Sequence, residues 1–228
     1  MGKRALIVGG SGLVGCKLLD MLLEGRHYDA VTAVVRAPLH LKHPKLTELI
    51  VNFDQLEQYE QQFSADDVFC CLGTTIKQAK TQQAMYRIDV EYPLTIARLA
   101  LQQGARHFLF ISAMGANPAS RIFYSRIKGI AEGGLRQMPY NSLSILRPSL
   151  LLGDRREFRL AERWAGAFFR ALPFLFAGPL KKYRAIEAET VARAMYLMAI
   201  DNPQGTTVYS SWQIEQYAAE QKATVPWR

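Results

Sequence analysis

Residues Lys3–Val8 form a short, mostly apolar segment that stops at Gly9-Gly10. Beyond it Leu13, Val14, Cys16, Leu18, Leu19, Leu22 and Leu23 recur at helical spacing as far as Gly25. That is a strand, a glycine turn and a helix. A second apolar run at 30–35 completes a βαβ unit with the spacing of a right-handed parallel crossover. The alternation continues with strands at 49–53, 68–72, 108–112 and 143–146. Helices are expected over 82–103, stopped by Gly104, and over 118–136, stopped at or soon after Gly133-Gly134. Six nearly continuous apolar strands alternating with helices predict an α/β doubly wound parallel sheet, covered on both faces.

After Gly153 the composition turns Arg-rich and aromatic, with helices expected over 157–170 and 187–199 and a short strand over 206–210. This part, 153–228, is expected to form a small C-terminal α-rich cap on a single domain spanning 1–228. The aromatic group Phe168, Phe169, Phe174 and Phe176 fits core packing best; an apolar substrate pocket or a dimer surface are its other readings.

Composition narrows the function. The 228 residues are 49% hydrophobic and 21% charged, enough for a full core. The net charge of +8 comes from scattered residues, the tightest group being Arg155, Arg156, Arg159 and Arg163, so nucleic-acid binding is not expected. Three cysteines, with the adjacent Cys70 and Cys71 pointing to opposite strand faces, exclude a disulfide framework and suit a reducing compartment. Core packing is the preferred role for that pair. The N-terminal apolar run is too short for a signal peptide, and 165–180 is interrupted by Arg170, Pro173 and Gly178. The chain therefore reads as cytoplasmic, with no membrane partner. His40 and His43 lack a third ligand, so no metal is expected.

Gly9, Gly12 and Gly15 form GxxGxxG between the first strand and helix. One glycine permits a tight turn, another lets backbone approach a pyrophosphate, a third brings helix onto strand, and the helix N-terminus faces the anion. A ligand-free turn would show the same residues. Arg36 stands at the end of the second strand, where a carboxylate would accept from a ribose 2′-hydroxyl. A guanidinium there favours a 2′-phosphate, hence NADP(H) over NAD(H), unless Arg36 is only a surface residue. Asp54 offers either an adenine contact or a helix N-cap. Leu72, Gly73 and Thr74 end the fourth strand, where a cofactor crevice opens in such sheets.

Tyr124 and Lys128 are four residues apart on one helix and so share a face. An ammonium beside a phenol lowers the phenol pKa from about 10 and equips it as a general acid or base. No G-x-S-x-G elbow and no GKS/GKT phosphate loop occurs.

With these motifs the chain resembles the short-chain dehydrogenase/reductase superfamily, and within it the atypical branch that includes the human Tat-interacting protein. The resemblance runs over nearly the whole chain. It includes Phe69-Cys70-Cys71-Leu72-Gly73-Thr74-Thr75, His107-Phe108, Tyr124-Ser125-Arg126-Ile127-Lys128-Gly129, Arg147-Pro148-Ser149-Leu150-Leu151-Leu152 and Asp154-Arg155. It implies a Rossmann domain with Gly9, Ser11, Gly12, Leu13 and Val14 at the pyrophosphate and Arg36 at the 2′-phosphate. Leu72, Gly73 and Thr74 would line the cofactor, and Pro148, Ser149 and Leu150 would lie beside the nicotinamide. Tyr124 would be the acid/base, and Lys128 would also hold the ribose. The resemblance further implies a catalytic serine after the fifth strand. Ser112 is available, but if the hydroxyl belongs one residue later, Ala113 leaves the set incomplete.

Two functions follow from this reading. One is an NADP(H)-dependent oxidoreductase acting on a carbonyl or sugar-nucleotide substrate, with an epimerase or dehydratase as its nearest variant. The other is a non-catalytic NADP(H)-sensing module that binds a protein partner. A homodimer is compatible with either.

Overall fold

The computed structural model describes residues 2–153 and 185–220. The strands of its main sheet are β1 (Lys3–Val8), β2 (Tyr28–Val35), β3 (Leu46–Ile50), β4 (Asp67–Cys70), β5 (His107–Ile111), β6 (Ser142–Arg147) and β9 (Gly205–Ser210). They pair in the order β3-β2-β1-β4-β5-β6-β9, every pairing parallel. A separate two-stranded ladder joins β7 (Leu151–Leu152) to β8 (Ile186–Glu187).

Side chains alternate between two apolar layers. Ala5 and Ile7 of β1 enter one layer, and Leu6 and Val8 enter the other. Cys70 and Cys71 divide the same way. Burial pushes the Cys70 thiol up to about 12, which suits packing rather than redox chemistry. The first layer is covered by α1 (Leu13–Glu24), α6 (Ala188–Asp201) and α7 (Ser211–Glu220). The second is covered by a 3₁₀ segment (Phe53–Phe63), α4 (Tyr92–Gln102) and α5 (Phe123–Arg136).

Several boundaries differ from the sequence reading. Strand β3 begins three residues earlier than expected and Phe53 opens the 3₁₀ segment, because the carbonyls and amides of 46–50 are those that meet β2. Helix α5 starts at Phe123 and runs through Gly133 and Gly134 to Arg136. Gly134 lies under Leu94, where a Cβ would come within 2.7 Å of the leucine, so packing rather than chain termination accounts for it. The helix expected over 82–103 is divided into α3 (Gln82–Tyr86), a π turn (Arg87–Glu91) and α4. A short α2 (Ile76–Ala79) precedes it.

The described part of the expected cap belongs instead to the sheet layers. Strand β9 extends the parallel sheet beyond β6, and α6 packs against α1 in the apolar layer, because its residues from Val191 to Ala199 are almost all buried. The helix expected over 157–170, the Arg155–Arg163 group and the four phenylalanines lie outside the described residues.

Candidate functional site

In a parallel sheet of this strand order, the crossovers leave β1 for opposite sides at the β1–β4 boundary, and a crevice opens at the strands' C-terminal ends. A cavity of about 1090 Å³ lies there. Its floor is the glycine turn. Gly9 has φ of +82°, the left-handed region that glycine tolerates, and its carbonyl accepts from Gly12 N at 2.9 Å. At Gly15 a Cβ would fall 2.0 Å from Gly9 O, so only glycine lets α1 press this close to the turn. Gly12 caps α1 without any side-chain hydrogen bond, and no acidic side chain stands in the first turn. The amides that begin α1 thus face the crevice with their partial positive charge uncompensated. This floor fits a pyrophosphate.

Gly9, Ser11, Gly12, Leu13, Arg36, Leu72, Gly73 and Thr74 all line the crevice. Val14 does not. Its side chain is buried in the apolar layer and Gly15 serves packing, so both act by fixing the turn. Arg36 follows β2 at the exposed margin. Phe53 lines the crevice where Asp54 had been considered. The Asp54 carboxylate is taken by Arg87 and the Tyr92 hydroxyl, the tyrosine first among the causes that lower its pKa. Nor is Asp54 a cap: Asn52 Oδ1 accepts from Asp54 N at 3.1 Å. Cys16, Lys17 and Glu187–Glu189 also line the cavity and carried no sequence signal.

Next to Gly73, which lines the cavity, stands a second group of residues. A Cβ there would lie 3.6 Å from Asp89 Oδ1 and 3.7 Å from Lys128 Nζ. On α5, Tyr124, Lys128 and Glu132 follow at successive turns of one face. Tyr124 is 39% exposed, whereas Lys128 and Glu132 are buried. Lys128 Nζ donates to Ile111 O at 3.2 Å, stands 2.8 Å from Asp89 Oδ1 and lies 5.0 Å from the centre of the Phe110 ring. Burial alone would lower the lysine's pKa. The Asp89 carboxylate, and after it the Tyr124 phenol, hold it above the usual lysine value.

Ser112 follows Ile111 and turns its hydroxyl to another partner. It is buried, and its hydroxyl donates to Glu132 Oε1 at 2.5 Å; the same carboxylate takes Arg147 Nε at 2.8 Å and an Arg147 terminal nitrogen at 2.6 Å. The next position, Ala113, carries no hydroxyl. Beyond β6, Pro148 O accepts from Met114 N at 3.0 Å, Ser149 Oγ lies 3.0 Å from Ser211 Oγ, and Leu150 is exposed. Sequence reasoning missed Asp89 and Glu132, which belong to no local motif, and gave no role to Arg147 although it opens the quoted segment Arg147-Pro148-Ser149. Pro93, four residues after Asp89 inside a helix, was the one available hint.

A sequence profile described as the NAD dependent epimerase/dehydratase family matches residues 5–126. The chain belongs to this family. It is 35% identical to Protein HTATIP2 of Rattus norvegicus over 197 residues, covering 85% of this chain and 79% of the relative. Protein FMP52, mitochondrial, of Eremothecium gossypii is 33% identical over 153 residues, covering 66% and 67%. Other fungal relatives bear the same mitochondrial name, and this overturns the cytoplasmic expectation, which rested only on cysteine usage and on apolar runs too short for a leader or a span. Among solved structures, MoeE5 in complex with UDP-glucose and NAD superposes with a TM-score of 0.67 at 17% identity, over 96% of this chain and 82% of that one. At that identity the likeness establishes the fold. This family member is thus an NAD(P)-binding Rossmann domain. Among the described residues no helix is long and apolar enough to cross a membrane, and no cluster of metal-ligating residues occurs.

Proposed function

We propose that the protein is an NADP(H)-dependent oxidoreductase in which Tyr124 exchanges a proton with the substrate oxygen and Lys128 provides the positive charge beside it. The observation that carries this reading is the arrangement on α5: an exposed phenol one turn from a fully buried ammonium, which stands next to Gly73 of the crevice lining. The α1 amides and Ser11 would hold the pyrophosphate, Arg36 the adenosine 2′-phosphate, and Leu72–Thr74 the central part of the dinucleotide. When bound, the nicotinamide supplies or accepts a hydride. Tyr124 protonates the oxygen of a carbonyl being reduced, or removes the hydroxyl proton of an alcohol being oxidised.

The substrate class is a carbonyl compound or its alcohol. A sugar nucleotide is the first candidate to try, because MoeE5 is described in complex with UDP-glucose. A specific observation also favours a second reading, a non-catalytic NADP(H) sensor. Ser112 gives its proton to Glu132, and Ala113 has none to give. A reductase and dehydrogenase screen over aldehydes, quinones and UDP-sugars separates the two. For the enzyme, Tyr124→Phe should keep NADPH affinity and lose about 10²- to 10⁴-fold in turnover, the usual contribution of a general acid or base. Tight NADPH binding with no turnover of any class, or a Tyr124→Phe variant as active as the parent, would leave the sensor reading.

A further inference from the structure

Between α3 and α4 the helix widens for one turn, and Pro93 explains why. Proline has no N–H to offer the carbonyl four residues back, and its ring crowds that carbonyl, which is Asp89's. The chain relieves both by letting Tyr92 N–H donate to Arg87 O, five residues back instead of four. A five-residue step shifts the side-chain register before the turn against that after it. Asp89, inside this turn, is wholly buried and divides its carboxylate between two parts of the crevice. Oδ2 accepts from Thr74 N at 3.1 Å, and Oδ1 stands 2.8 Å from Lys128 Nζ. One side chain therefore ties the Leu72–Thr74 wall to the ammonium.

We propose that Asp89 is a positioning residue for the Tyr124–Lys128 pair, holding the ammonium charged and stationary against the Ile111 carbonyl while it clamps the Thr74 peptide. The proposal rests on the reading that this pair is the working one. Its physical basis is the burial of the lysine. A desolvated ammonium loses its proton unless an anion faces it. The titratable groups near Lys128 are Asp89 on the π turn, Cys70 on β4 and, on its own helix, Tyr124 and Glu132, the last with its carboxylate taken by Arg147. Cys70 is held up to about 12 by burial and is neutral, and the acidic side chain that meets the ammonium directly is Asp89, 2.8 Å away. The ammonium in turn stays available to Tyr124 and to a ribose only while that carboxylate is present.

The test titrates the lysine Nζ directly by NMR on protein labelled with ¹⁵N-lysine, the Lys128 signal being assigned by its loss in Lys128→Met. In the parent, Nζ should stay protonated past pH 10.5, the ordinary lysine value. Asp89→Asn should lower its midpoint by at least about one pH unit, and Asp89→Glu should restore most of that shift. Calorimetry with NADPH should then show an affinity nearly independent of pH from about 7 to 9.5 in the parent. In Asp89→Asn it should fall severalfold over that range. A parent Nζ that deprotonates below 10.5, or a midpoint unmoved in Asp89→Asn, overturns the proposal. Should Asp89→Asn fail to fold, the parent midpoint and Asp89→Glu decide it. Absence of NADPH binding in the parent would defeat the functional reading instead, and the Nζ titration, which needs no ligand, would still judge Asp89.

Discussion

At the C-terminal ends of β4 and β5, Lys128 and Asp89 are buried as an ion pair beside the exposed Tyr124 phenol. At the opposite ends of the same strands, Tyr28, Asp67 and His107 are buried as deeply. There Asp67 Oδ2 accepts from the Tyr28 hydroxyl at 2.7 Å and from Lys3 at 3.1 Å, and His107 Nε2 meets Ser144 Oγ at 3.0 Å. The chemistry differs in two respects. At the crevice end the facing Asp89 carboxylate holds Lys128 above the usual lysine value against the effect of burial, and a glycine, Gly73, stands beside them. At the closed end burial drives the groups toward neutrality: His107 is pushed down to about 3 and Asp67 is raised, desolvation being the largest cause in each. Buried polarity by itself is therefore no mark of a site. A retained charge next to accessible space is the better sign.

The largest expected effect separates the two ends directly. Lys128→Ala leaves the Asp89 carboxylate buried without its partner and should cost about 3–5 kcal/mol of stability, as removal of one member of a buried pair does. It should also weaken NADPH binding, read by calorimetry, whereas His107→Asn should leave that affinity unchanged. Equal losses of affinity in both variants would erase the distinction between the ends.

Arg36→Asp probes the crevice margin and should act on ligand preference with little change in stability. Replacing a charge-assisted phosphate contact by a repelling carboxylate should cost at least about 1.5–3 kcal/mol of NADPH affinity and narrow or invert the preference over NADH. Equal dissociation constants for the two dinucleotides in the parent protein would remove the basis for an NADP preference.

The closed end is probed by a pH dependence. Below pH 6.5, the ordinary histidine value, the unfolded chain takes up a proton that folded His107 refuses until about 3. Stability should therefore fall as pH drops through that window, by up to about 1.4 kcal/mol per pH unit. His27, also lowered by burial, adds to this fall. Asp67 opposes it near its own raised pKa, because the folded carboxylate takes a proton before the unfolded one does. Urea midpoints at pH 7 and pH 5 should differ clearly in the parent and less in His107→Asn. A parent midpoint that does not move would contradict the buried neutral histidine.

Much of the dinucleotide floor was legible in the sequence because its determinants are local. Gly9 must adopt a positive φ, Gly15 must carry no side chain, and the apolar runs on either side name the strand and the helix that meet there. Tyr124 and Lys128 were legible for the same reason, a spacing within one helix. The roles considered for Asp54 were not decided by its neighbours in sequence: Arg87 and Tyr92 take its carboxylate, and both come from the helical stretch that packs across from it. Ser112 likewise reads as available until Glu132 reaches it from α5.

Sequence alone thus determined the alternation of strands and helices, the glycine turn and the shared face of the phenol and the ammonium, since backbone sterics and helical periodicity act over a few residues. Only the tertiary structure decided that β9 completes the sheet, that Glu132 claims Ser112 and that Asp89 faces Lys128. Those outcomes depend on which helix face meets which strand end. There the cost of burying a charge selects partners from segments far apart in the chain.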